Sequence, residues 1–163
     1  MLLNKWKMLL NKWMKRHTLT LYAPMEGDII PLEEVSDPVF SEKMMGDGIA
    51  IMPTDGTVVA PAKGTIVQVA PTKHAIGIRT DDGAEILIHV GLDTVELAGD
   101  PFTVHVNVDD SVEVGQPLLT ANLEQIHQAG KDTVTPMIVT NGGELNEPYV
   151  FHTGGPALSG KTV

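Results

Sequence analysis

Glu85-Ile86-Leu87-Ile88-His89-Val90-Gly91-Leu92-Asp93-Thr94-Val95 is the run whose reading decides the fold. At strand period, Ile86, Ile88 and Val90 share one face, while Glu85, Leu87 and His89 share the other. The first set reads as core, so His89 points outward, toward a partner or a ligand. Fifteen residues before His89, His74 stands in the run Thr72-Lys73-His74-Ala75-Ile76-Gly77-Ile78. If that segment is extended, Thr72 and His74 share a face and the hydroxyl can orient the ring. Two neighbouring strands would bring the imidazoles together, and imidazole acts as nucleophile, donor or ligand near pH 7.

Outward from this pair the chain is a series of short β-branched runs. They fall at Gly48-Met52, Thr57-Ala60, Gly64-Val69, Ala75-Thr80, Thr103-Val108, Pro117-Ala121 and Pro136-Thr140, and His17-Tyr22 alternates. Turn chemistry separates them: Met25-Glu26-Gly27-Asp28, Pro53-Thr54-Asp55-Gly56, Asp81-Asp82-Gly83 and Asn141-Gly142-Gly143. Regularly spaced short strands of this kind predict an all-β sandwich or barrel. Short helices are expected around Leu32-Val35, Ser41-Met45 and Leu123-Ala129. Three segments follow: an amphipathic stretch at 1–16, a β domain at 17–141, and a mostly irregular Gly- and Pro-rich tail at 142–163.

The first sixteen residues repeat Met-Leu-Leu-Asn-Lys-Trp at positions 1–6 and 8–13. Wound as a helix, Leu2, Leu3, Trp6, Leu9, Leu10, Trp13 and Met14 gather on one arc opposite a cationic face. That pattern suits an anionic membrane surface. A helix docked on its own domain and a duplicated extension with an alternative start at Met8 are the other readings. The apolar run is too short for a signal peptide, and no small-residue cleavage site follows it.

Composition narrows the chemistry. The 163 residues suffice for one well-buried domain. No apolar stretch approaches the roughly 18–20 residues of a membrane-spanning helix. There is no cysteine, which removes disulfides, thiolate nucleophiles and thiolate metal sites, and fits a cytoplasmic protein. Lys5, Lys7, Lys12, Lys15 and Arg16 are five of the eleven basic residues; from residue 17 onward six basic residues face twenty-one acidic ones, a net charge of −15. So acidic a body argues against nucleic acid and favours a basic protein partner.

Six stretches in order then resemble one family. Ala23-Pro24-Met25-Glu26-Gly27 and the run Asp37-Pro38-Val39-Phe40-Ser41-Glu42-Lys43-Met44-Met45-Gly46-Asp47-Gly48-Ile49-Ala50 open the series. Ala60-Pro61-Ala62-Lys63-Gly64-Thr65-Ile66, the two histidine runs and Val112-Glu113-Val114-Gly115-Gln116-Pro117-Leu118 complete it. Together they resemble the enzyme IIA domain of the glucose class of the bacterial phosphoenolpyruvate-dependent sugar phosphotransferase system, over roughly residues 20–141. The resemblance implies a compact antiparallel β-sandwich of the barrel-sandwich hybrid type, working as a phosphohistidine relay. His89 would accept a phosphoryl group from HPr and pass it to the IIB domain of a sugar permease. His74 would steady the phosphorylated ring, Thr72 would hold His74, and Asp93 would meet a basic residue of the partner. Val39, Phe40, Met44, Met45 and Leu87 would form the docking ring. No cofactor is implied and no metal is required. The chain carries no permease or IIB segment, so the sugar would be recognised elsewhere.

Two departures stand out: Ala70 where many members carry an aromatic, and Asn122 where an Asp is common. His17, His105, His127 and His152 have no comparable setting and read as surface residues. A zinc hydrolase reading has His89 and Asp93 with a second histidine, but lacks the His-x-His such peptidases use; weak zinc binding by His74 and His89, completed by a partner's carboxylate, is a secondary property to consider. A lipoyl- or biotinyl-type carrier finds only an echo in Lys43-Met44-Met45. A regulatory protein that reports sugar flux by binding other proteins would use the same face, switched by the negative charge of a phosphate on His89.

Overall fold

The computed structural model describes residues 20–145 and 156–157, and the amphipathic stretch at 1–16 lies outside them. Eleven strands occur among the described residues: β1 (Gly27–Pro31), β2 (Asp47–Pro53), β3 (Thr57–Val59), β4 (Gly64–Val69), β5 (Ala75–Thr80), β6 (Glu85–His89), β7 (Phe102–Val104), β8 (Ser111–Val112), β9 (Pro117–Ala121), β10 (Thr135–Val139) and β11 (Pro156–Ala157). Two short helices, α1 (Pro38–Ser41) and α2 (Leu123–Gln128), accompany them. An eight-stranded sheet in the order β11-β1-β2-β10-β6-β5-β4-β8 packs on a three-stranded sheet, β3-β9-β7. Every pairing is antiparallel. This is the expected antiparallel β-sandwich.

Side-chain parity divides the interior. Ile49 and Ile51 of β2, Ile86 and Ile88 of β6, and Met137 and Val139 of β10 face the main core with Val58, Leu118, Leu119 and Phe102 of the smaller sheet. Each large apolar side chain fully buried there contributes about 1.5–3 kcal/mol. The intervening residues, Ala50, Leu87 and Ile138, turn to the opposite face and meet Leu32, Val35, Phe40, Leu92 and Val134 in a second, smaller cluster. A 3-10 turn (Leu32–Glu34) and α1 lie over that second face. His89 shares it, because it has the parity of Leu87.

Local chemistry moves some boundaries. Helix α1 begins at Pro38 rather than Ser41, since the Asp37 side chain accepts the Val39 N–H at 3.0 Å and Pro38 supplies a preset first turn. It stops early because Lys43 adopts a left-handed φ of 56°. Gly27 and Asp28, expected in a turn, begin β1, where register pairing with β2 runs from Gly27↔Pro53 to Pro31↔Ile49. In the tail, Gly142–Glu144 is a 3-10 turn, and β11 pairs with β1. The rest of the tail lies outside the described residues. Asn122 caps α2, accepting the Gln125 N–H at 3.1 Å, a task that Asn and Asp perform alike.

Candidate functional site

Strands β5 and β6 pair with Ala75 opposite His89. His74 therefore sits one residue before the start of the ladder, and its carbonyl accepts the Val90 N–H at 2.7 Å. The two rings meet edge to face, centroids 4.8 Å apart and planes at 78°. Local chain geometry sets each one. Between β4 and β5 the chain turns at Ala70–His74: the Lys73 N–H bonds the Ala70 carbonyl and the Ala70 N–H the Ala75 carbonyl. Lys73 takes a left-handed φ of 63° to make that turn. The turn puts Thr72 Oγ1 2.7 Å from His74 Nδ1.

At the far end of β6 the chain turns sharply at Gly91, where φ is +78°. His89 Nδ1 lies 2.8 Å from the Gly91 carbonyl. A carbonyl oxygen only accepts, so Nδ1 carries the proton and Nε2 is left with a lone pair. A Cβ at Gly91 would stand 2.4 Å from the Thr94 methyl and 2.8 Å from the Asp132 carbonyl, so only glycine fits. The Phe40 ring closes one side of His89, its centroid 5.1 Å away and tilted by 56°.

Burial is the main electrostatic influence on both rings and pushes each imidazole below its ordinary pKa. For His74 the neighbouring His89 adds to this, and hydrogen bonding at Thr72 opposes it. For His89 the bond to Gly91 opposes burial, as do the negative charges of Asp37 and Asp93. Both rings are therefore neutral near pH 7, and His89 has a lone pair to offer.

The remaining sequence-predicted residues separate into two groups. Val39, Met44 and Met45 are exposed by 38%, 69% and 41%. Phe40 is not displayed as a docking residue: it is only 4% exposed, because α1 turns its ring inward onto His89 and the second cluster. Leu87 is half-buried against that same cluster. Asp93 is exposed, adopts a left-handed φ of 58° and makes no capping bond with its side chain. The position of Ala70 is an open groove of about 380 Å³, lined also by Val69, Pro71, Lys73, Val104 and Val106, on the flank of the His74 turn. Among the described residues no group of three or more histidines and carboxylates is placed to hold a metal.

Sequence reasoning missed Asp37, whose charge reaches His89, and Gly91, whose carbonyl fixes its tautomer. Both carry recognisable signals: an acid directly before a helix-starting proline, and a glycine directly after an apolar strand.

Fold and site together define a β-sandwich with a pair of imidazoles set edge to face at the end of one hairpin, His74 only 8% exposed and His89 half-buried. Residues 19–145 match the family described as phosphoenolpyruvate-dependent sugar phosphotransferase system, EIIA 1, and the chain belongs to it. A glucose-specific EIIA component of Halalkalibacterium halodurans is 54% identical over 125 residues, covering 77% of this chain and 72% of that protein. A glucoside-specific EIICBA component of Staphylococcus carnosus is 51% identical over 134 residues, 82% of this chain but 19% of the longer protein. The glucose permease IIA of Mycoplasma capricolum superposes with a TM-score of 0.81 at 41% identity, covering 89% of this chain and 93% of that one. As an EIIA component, this protein receives a phosphoryl group from HPr and passes it to a IIB domain.

Proposed function

We propose that His89 Nε2 is the atom that carries the phosphoryl group, as a covalent phosphohistidine intermediate. The observation that carries this reading is the hydrogen bond from His89 Nδ1 to the Gly91 carbonyl, which places the lone pair on the other nitrogen. That lone pair attacks the phosphorus of the donor's phosphohistidine in line. The new Nε2–P bond forms as the donor's P–N bond breaks, and the electron pair of the broken bond returns to the leaving imidazole. Such a transition state is loose, so positioning and charge stabilisation supply most of the catalysis. In transfer to the IIB domain His89 becomes the leaving group: an acceptor atom of that domain attacks the phosphorus in line, the Nε2–P bond breaks and its electron pair returns to the His89 ring. The reactivity of the phosphohistidine bond suits a reversible relay.

His74 stabilises the transferring group. Thr72 donates its hydroxyl proton to His74 Nδ1, which leaves the Nε2–H of His74 to bond a phosphoryl oxygen. Asp93, exposed beside the site, meets a basic residue of the partner. Val39, Met44 and Met45 form the apolar docking surface, while Phe40 supports His89 from beneath. The relay resides in residues 17–141 of a cytoplasmic protein, and the sugar is recognised by the permease to which the phosphoryl group is delivered.

Incubation with Enzyme I, HPr and phosphoenolpyruvate tests the assignment. Wild-type protein is expected to gain one acid-labile phosphate by mass spectrometry, and His89→Ala to gain none. Labelling of the His89→Ala protein would overturn it.

A further inference from the structure

The bond that fixes His89 is itself held in place, and the residues that hold it are not part of the imidazole pair. The carbonyl of Gly91 and the N–H of Leu92 belong to one planar peptide unit. Leu92 N–H is tied to the Asp132 carbonyl at 3.0 Å, which sets the plane and aims the opposite end, the Gly91 carbonyl, at His89. One residue earlier, the Val90 carbonyl accepts a 2.5 Å hydrogen bond from the Thr94 hydroxyl, while the Val90 N–H bonds His74. Thr94 is completely buried, and its methyl group covers the α-carbon of Gly91. Asp132 is anchored in turn, its Oδ1 accepting the Val134 N–H at 2.9 Å.

We infer that Thr94 is a positioning residue of the relay: its hydroxyl, on the Val90 carbonyl, braces the backbone that leads into the peptide whose carbonyl accepts the His89 Nδ1 proton. This rests on the reading of His89 Nε2 as the phosphorylated atom. The consequence is chemical rather than only structural. A peptide free to rotate releases Nδ1, the neutral ring then samples both tautomers, and a lone pair appears on the wrong nitrogen for part of the time. A side chain that merely stabilised the loop would affect the melting temperature and leave the tautomer alone.

Thr94→Val keeps the shape and the methyl group and removes the hydroxyl. Nitrogen-15 spectra of the imidazoles are expected to show wild-type His89 as the Nδ1–H tautomer and the variant as a mixture. Its rate of phosphoryl uptake from HPr falls by about tenfold, within the range that small misplacements of reacting groups cost, and Thr94→Ser restores both readouts. A folded Thr94→Val protein with a pure Nδ1–H tautomer and wild-type uptake would sink the inference. Should the valine variant not fold, Thr94→Ser decides: it retains the hydroxyl, and a scrambled tautomer in that folded protein overturns the role given to it. Failure of the parent reading looks different, because wild-type protein would then take phosphate somewhere other than His89 whatever stands at 94.

Discussion

The turn Ala70–His74 and the loop His89–Thr94 stand side by side, and each restrains a histidine through Nδ1, but by different means. His74 is held by the side chain of Thr72, a hydroxyl able to donate or accept. His89 is held by a backbone carbonyl, which accepts only, in a loop tied down at Val90, Gly91 and Leu92. The difference matches the two roles proposed. A nucleophile needs its lone pair on one nitrogen at all times, and a rigid main-chain acceptor provides that. A supporting ring meets a phosphoryl group that arrives and departs, and a rotatable hydroxyl can follow it.

The largest effect on this comparison comes from removing the supporting ring. His74→Gln should still accept phosphate on His89 yet donate it to a IIB domain about 10²–10³-fold more slowly, the usual cost of losing a donor to developing charge. Single-turnover transfer from pre-labelled protein measures this, and donation at the wild-type rate would remove His74 from the mechanism. Replacing the hydroxyl alone is milder. Thr72→Val should slow donation by up to about tenfold, the worth of one net hydrogen bond, and leave His74 with mixed tautomers by nitrogen-15 spectroscopy. Unchanged tautomer and rate would reduce Thr72 to a bonder of its own turn.

The smallest effect lies in the pH dependence. Asp37 raises the proton affinity of His89 against the lowering caused by burial. Asp37→Asn retains the cap on α1 and removes the charge, so the His89 pKa drops further. The acid limb of the phosphate-uptake profile then moves to lower pH, and a shift in the opposite direction contradicts the assignment. Stability follows the same sign. With the folded pKa depressed, the unfolded chain binds more protons in the interval between the folded and unfolded values, so stability falls as pH drops from the ordinary imidazole pKa to the folded one. The substitution extends that interval downward.

Much of the fold was legible because alternation is a local signal. Ile86, Ile88 and Val90 declare one face of β6 by sequence alone, and all three are buried. Thr72 and His74 meet through a turn with Lys73 left-handed, and not through the extended segment on which the parity argument depended. Where the signal is short, the reading slipped. Helix α1 has four residues, too few for any periodicity, so nothing local told whether Phe40 would face solvent or His89. Strand β1 hid behind a Gly-Asp pair that resembles a turn, and only its register against β2 makes it a strand. The tail strand β11 is two residues long and exists through its pairing with β1.

Residue order by itself determined the β class, the parity that turns His89 away from the main core and the acidic character of the body, since each depends on spacing along the chain or on composition. The distance between the imidazoles, the tautomer of His89, the inward turn of Phe40 and the brace from Thr94 and Asp132 were decided by tertiary structure. They join residues that chain-local chemistry leaves independent: Asp132 lies far along the sequence from Gly91, and only the closing of the sandwich brings its carbonyl to the peptide that aims at the ring.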